Sequence, residues 1–426
     1  MAGLYSTLRR RRVTVPQLAF GALLGTVAAI PVSISLGQGL AVLCLILWGL
    51  ALVRRDVPFA VPASGRLAAV FVLLAATLSV ACGGWGGGWS RAGELLWLLL
   101  LPATATLVRE PARAGSVLRA FAIGGGVLAV KNALETPWEA WRDLRANVHP
   151  GFTYREYIQS LGSMTDGQML MLTVVAGLAL WLAARQAGRR AWPWAALAGL
   201  AGLALGLSLK RGSWVVAVAL LAAFALLRRQ WKAILALGVL VAAAALLPPV
   251  RARLSQAGSE FDVDGGGRLT MWFRAAPALV RENPLGMGYG CLTEERLQRA
   301  APNVEKGRNH LHSNVAQVLV EEGWAGLALY AAWMAAALAA AARAVRHARA
   351  AGPAATLHAQ AVLLMLFGLV LNGLVEYNLG DAELMVLLAV WMGLAGAWEC
   401  GAGGRSPVAG RGTRPPARPE SPPAGG

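Results

Sequence analysis

Polar chemistry in this chain concentrates in one stretch, residues 248–323, where arginine, histidine and glycine recur among turn-forming residues. Three motifs stand in it: Gly267-Arg268 with Trp272 four residues on, Asn283-Pro284-Leu285-Gly286-x-Gly288-x-Gly290, and His310-Leu311-His312-Ser313-Asn314. A fourth, Lys210-Arg211-Gly212-Ser213, lies upstream between two apolar blocks. Arginine is the residue type that grips a phosphate with two parallel hydrogen bonds. At Arg211 two readings stand: a guanidinium snorkelling to lipid head groups, or a fixed fork on a diphosphate. Arg268 is either in an ion pair with Asp262 or Asp264, or turned toward an anionic ligand. Its spacing to Trp272 puts both on one helix face.

The glycine-rich run reads as a turn, because Asn-Pro and repeated glycine break regular structure. It lacks the Lys-Ser/Thr of a P-loop. Its glycines then serve close approach of the backbone, to a ligand or to a neighbouring helix. His310 and His312 form the one close pair among five histidines. No HExxH accompanies them and no third residue stands at ligand spacing, so a metal site is a poor reading. A general base is a better one. His312 precedes an apolar-periodic helix, 313–322, that ends at Gly323, and the positive end of such a helix disfavours an imidazolium. The bland alternative is a histidine that caps the helix or packs at a membrane interface.

The elements that must carry these residues are membrane helices. Of 426 residues 57% are hydrophobic and 14% charged, against about 25% charged in soluble domains. Apolar blocks fall at about 15–36, 38–53, 66–84, 94–108, 115–133, 167–184, 192–209, 213–227, 233–248, 323–342, 355–374 and 380–399. Each is a candidate helix for a hydrocarbon core of about 30 Å, and unbroken apolar runs exclude a β-barrel. The net charge of +17 comes from clusters at alternate links: residues 9–12, Arg54/Arg55, Arg109/Arg113, Arg185/Arg189/Arg190, Arg228/Arg229/Lys232, Arg343/Arg346/Arg349, and the tail. That alternation is the positive-inside pattern, not a nucleic-acid footprint. It predicts a basic cytoplasmic N-terminus (1–14), a membrane region (15–248), a catalytic outer loop (249–322), further spans (323–399) and a disordered cytoplasmic tail (400–426). A second outer loop is expected at 134–166. The first span is expected to stay in the mature protein rather than leave as a signal peptide. Cys82 and Cys291 both fall on the outer side, as free thiols or as a disulfide; no CxxC is present.

The ordered set Arg211-Gly, Arg268-x-x-x-Trp272, Asn283-Pro-Leu-Gly-x-Gly and His312-Ser-x-x-x-x-x-x-x-Glu321-x-Gly323-x-x-Gly326, on a frame of about twelve spans, resembles the O-antigen ligase and polymerase superfamily. The resemblance runs from about Gly162 to the last span. It implies an all-α integral membrane fold like that of the C-type glycosyltransferases, in the inner membrane of a bacterium, with both termini cytoplasmic and the active site periplasmic. It implies an inverting, metal-independent transfer of O-antigen from undecaprenyl diphosphate to a sugar hydroxyl of lipid A–core, with no cofactor. By the same resemblance Arg211 and Arg268 hold the diphosphate and His312 is the base. His310, Lys210, Arg308, Trp272, Asn314 and Glu321 are supporting candidates. The family often shows His-Asn where this chain has His312-Ser313. The rival readings are a polymerase or a protein-directed glycosyltransferase of the same superfamily, and, from another class, a lipid or polysaccharide transporter. Transport predicts charges buried at mid-span, and only Lys131, near a span end, comes close.

Overall fold

The computed structural model describes residues 13–151, 153, 154, 156, 163–255, 262–304 and 306–402. The basic cluster at 9–12, residues 152, 155 and 157–162 of the second loop, and the tail beyond 402 lie outside the described residues. Every described element is helical. In order, α1 is Val15–Ala29, α2 Ile34–Val53, α3 Ala63–Ala92, a 3-10 segment Gly93–Leu99 leads into α4 Leu100–Leu107, and α5 is Pro111–Arg145. Then come α6 Met164–Gln186, α7 Trp192–Leu207, α8 Arg211–Leu227 and α9 Trp231–Leu246. The polar segment holds α10 Pro248–Ser255, α11 Arg268–Thr270, a π-helical turn Met271–Ala275, α12 Ala276–Glu282 and α13 Glu294–Ala300. The chain closes with α14 Asn314–Ala348, α15 Pro353–Asn372 and α16 Ala382–Ala402.

Among the described residues seven helices are long and apolar enough to cross a membrane, and four more are apolar but shorter. With the 93–107 pair they account for all twelve apolar blocks of the sequence, and the protein is an all-α membrane protein. Three boundaries differ from expectation. The first block breaks at 30–33, where Pro31 has no N–H to continue the helix and Ser33 accepts from Leu36 N to start α2. The fourth block is 3-10 before it is α. The segment 134–145 is not loop: α5 runs on through Pro137 for 35 residues, about 52 Å at 1.5 Å per residue.

The core sits where α6, α15 and α16 pack against one another's neighbours: α6 on α7 and α15, α16 on α4, and α14 on α3, α15 and α16. Trp333 and Trp391 lie fully buried there. Within lipid such contacts rest on close packing of small side chains rather than on escape from water. By contrast α9 has no buried residue and touches chiefly α8 and α10, so its surface faces lipid. At one end of the bundle, Arg109 donates to Pro58 O of the α2–α3 link at 3.3 Å, and Arg343 Nε of α14 donates to Glu399 of α16 at 2.9 Å. The opposite end gathers the start of α6, the α7–α8 link, the polar segment and the α15–α16 link.

Candidate functional site

The glycine-rich run is built against a helix, not around a phosphate. Gly323 has φ 69 and ψ −169, a backbone region open essentially to glycine alone, and it breaks α14 after its first turns. That break frees two carbonyls: Met287 N donates to Val320 O at 3.2 Å and Gly288 N to Glu321 O at 2.7 Å. A Cβ on Gly286 would meet Glu321 O at 2.4 Å, so the close approach requires glycine. Glu321, 1% exposed, turns back under the same loop and accepts from Leu292 N at 3.3 Å. Its place is structural. Tyr289 completes the seam by donating to Leu379 O at 2.7 Å. Burial and the nearby Glu94 push its hydroxyl well above the usual range, so it remains a donor.

Arg268 opens α11 and Trp272 lies in the π-turn that follows, a distortion often found at functional sites. Trp272 Nε1 donates to Leu311 O at 2.7 Å, and Leu311 N donates to Gln317 at 2.9 Å. These two bonds pin the turn on which His312 sits. Ser313 caps α14 by accepting from Ala316 N at 3.3 Å, so His312 stands just outside the helix N-terminus, as its sequence predicts. His312 itself has φ 48, a left-handed conformation that costs a non-glycine residue energy and that clusters at functional sites.

Asn314 fixes the other wall. Its Oδ1 accepts from Asn378 N at 2.7 Å and Leu379 N at 3.3 Å, its Nδ2 donates to Tyr330 at 3.2 Å, and its own N–H donates to Gly373 O at 2.7 Å. The α15–α16 link is thereby held against the histidine turn, and it delivers Glu376. The Glu376 carboxylate pairs with the Arg268 guanidinium through Oε1 and stands 3.4 Å from His312 Nδ1 through Oε2. Of the two sequence readings for Arg268 the ion pair is present, but its acid is Glu376 rather than Asp262 or Asp264. Asp264 pairs with Arg274 instead, at 3.2 Å.

Arg211 opens α8 after a tight link in which Leu209 has φ 56 and Trp214 Nε1 donates to Leu205 O at 2.7 Å. A Cβ on Gly212 would lie 4.0 Å from Glu376 Oε1 and 3.9 Å from Asn372 Nδ2, so the first turn of α8 abuts the Arg268–Glu376 pair. Lys210, 7% exposed, packs against Gly167 of α6. His310 stacks edge-on to His312 with ring centroids 4.3 Å apart and lies along Tyr377 at 6.0 Å. Burial first, then the His312, Arg308 and Arg268 charges, lower His310 to about 4, so it is neutral at neutral pH.

The structure thus joins Arg268, His310 and His312, sets Arg211 at their edge, and gives Trp272, Asn314 and Glu321 supporting positions. Glu376 escapes the sequence reading. Its signal is an acidic residue in Asn372-Gly373-Leu374-Val375-Glu376-Tyr377, a link otherwise too short to draw notice. Cys82 and Cys291 are free thiols; Arg91 donates to Cys291 Sγ at 3.2 Å, and burial with the Cys82 contact pushes Cys291 up to about 12.

Arginines, a carboxylate and histidines are thus gathered at one end of a helical frame. Residues 196–331 match the family model for O-antigen ligase. The matched segment runs from α7 into α14 and contains Arg211, Arg268, His310 and His312, while Glu376 lies beyond it. No curated relative matches the sequence at a significant level.

Proposed function

We propose that the protein is an O-antigen ligase that moves a polysaccharide from undecaprenyl diphosphate to a sugar hydroxyl of lipid A–core on the periplasmic face of the inner membrane. The observation that carries this reading is the contiguity of Arg268, Glu376 and His312, with the first turn of α8 and its Arg211 alongside. The acceptor oxygen attacks the anomeric carbon from the side opposite the diphosphate, so the new glycosidic bond forms as the carbon–oxygen bond to phosphate breaks. The electron pair leaves on the diphosphate, where Arg211 and Arg268 neutralise it. The proton passes to His312 Nε2, the ring nitrogen remote from Glu376. The apolar walls of the spans accommodate the polyprenyl chain, and membrane lipid surrounds the rest.

Orientation follows from charge. The basic links gather at the end opposite the cluster, which supports cytoplasmic termini and a periplasmic 249–322 segment. A strain lacking the gene, profiled for its lipopolysaccharide, tests the reading. Loss of all long-chain species with lipid-linked polymer accumulating is the expected result. A ladder collapsed to a single repeat would instead identify a polymerase, and an unchanged profile would remove both.

A further inference from the structure

We infer that Glu376 is a shared counter-ion that trades partners: it holds Arg268 until a diphosphate takes that guanidinium, and then closes on His312 Nδ1. The inference rests on the reading of Arg268 and His312 given above and deepens it by linking donor binding to the readiness of the base.

The two contacts of Glu376 are unequal. Its Oε1 is in a close ion pair with Arg268, whereas Oε2 stands 3.4 Å from His312 Nδ1, at the outer limit of a hydrogen bond. The carboxylate side chain is 10% exposed, with Arg268 at 24% and His312 at 15%. A charge so nearly buried stays only if it is paired. A diphosphate carries more charge than one carboxylate and presents more acceptor oxygens to a guanidinium fork, so it outcompetes Glu376 at Arg268. The displaced carboxylate has His312 Nδ1 as a neighbour already in reach. A carboxylate on Nδ1–H fixes the tautomer with the lone pair on Nε2 and stabilises the imidazolium formed when that nitrogen takes the acceptor's proton. The link that carries Glu376 is anchored through Asn314 to the histidine turn itself, so the shift needs a change of side-chain rotamer and no movement of helices. Glu376 is a positioning residue: it acts on the reaction through Arg268 and His312.

The signature is a pair of opposite effects. Glu376→Gln in purified full-length protein should bind a polyprenyl diphosphate more tightly, by about fivefold or more, the worth of one partly exposed ion pair. With donor saturating, the same variant should transfer at least about 10-fold more slowly, with about 10⁴-fold as the extreme known for losing the carboxylate that orients a general-base histidine. Glu376→Asp serves the same test if the amide variant is unstable: its shortened carboxylate loses Arg268, so binding tightens while transfer slows. Weaker donor binding in a folded variant, or unchanged transfer, would overturn the trade. Arg268→Ala and His312→Ala run beside it. If Arg268→Ala binds donor normally or His312→Ala still transfers, the parent reading fails; if both behave as proposed while Glu376→Gln binds poorly, the trade alone fails.

Discussion

Asn314 is the joint on which the geometry of the site depends, and removing its side chain should separate the histidine from its carboxylate. Asn314 is 3% exposed, and its Oδ1 serves two backbone N–H groups of the link, Asn378 and Leu379. Asn314→Ala leaves both donors buried without that acceptor. An orphaned buried donor costs about 1–3 kcal/mol, so the variant should lose roughly 2–5 kcal/mol, with water entry into the new space acting to reduce it. The loosened link carries Glu376, and a displacement of about 1 Å at a reacting geometry can lower turnover about 10²-fold. Asn314→Asp is the informative control. Its carboxylate accepts from the same two N–H groups, and the Tyr330 hydroxyl can reverse from acceptor to donor. Thermal unfolding in nanodiscs and transfer by the same preparations should place Asp between wild type and Ala, because it keeps both acceptor bonds but buries a carboxylate. If Asp and Ala were equally damaged, the acceptor role of Oδ1 would be wrong.

Three further outcomes follow from the same geometry. Arg211→Ala and Arg268→Ala should each abolish transfer with folded protein still in the membrane, and Arg→Lys should be nearly as poor, because one ammonium cannot reproduce a two-pronged grip; near-normal transfer by the lysine variants in a gel-shift assay would contradict the clamp. Among the described residues no three His, Cys, Asp or Glu side chains converge to hold a metal, and the proposed chemistry rests on arginine, so transfer should persist in excess EDTA; activity lost to chelation and restored by Mg²⁺ would refute this. Asp381 is pushed up to about 7, first by burial and then by the Glu383 charge. Its folded pKa exceeds its ordinary value, so the stability it contributes is full below about 4 and is lost as pH rises through about 7. Asp381→Asn should therefore raise the unfolding temperature at pH 8 and leave it nearly unchanged at pH 4.

Much of the site was legible in the sequence because the chemistry sits on local signals. Ser313 before an apolar-periodic run announced the start of α14, and Gly323 announced its break. Asn283-Pro284 with spaced glycines announced the turn, though not what it approaches. Only the structure shows that Gly286 fits under Glu321 and that the loop pairs with carbonyls freed at Gly323. Glu376 was hidden for a different reason. It lies 64 residues from His312 and 108 from Arg268, so no spacing rule connects them; the bundle does, through Asn314. For the same reason the acid paired with Arg268 cannot be read locally: Asp262 and Asp264 are the near candidates in sequence, and the fold brings Glu376 instead. The helix Glu294–Ala300 also went unread, although Thr293 followed by two glutamates is a fair N-cap signal.

The central claim is that His312 takes the acceptor's proton while the arginines hold the diphosphate. It is tested most directly by measuring transfer and donor retention together in His312→Ala and His310→Ala. General-base assistance is worth about 10²–10⁴-fold, so His312→Ala should fall to near background with its lipid-linked donor still bound. His310→Ala, which loses a half-buried neutral neighbour, should retain most of its turnover. An inactive His310→Ala beside a competent His312→Ala would move the base by two residues, and full activity in both would contradict the histidine mechanism.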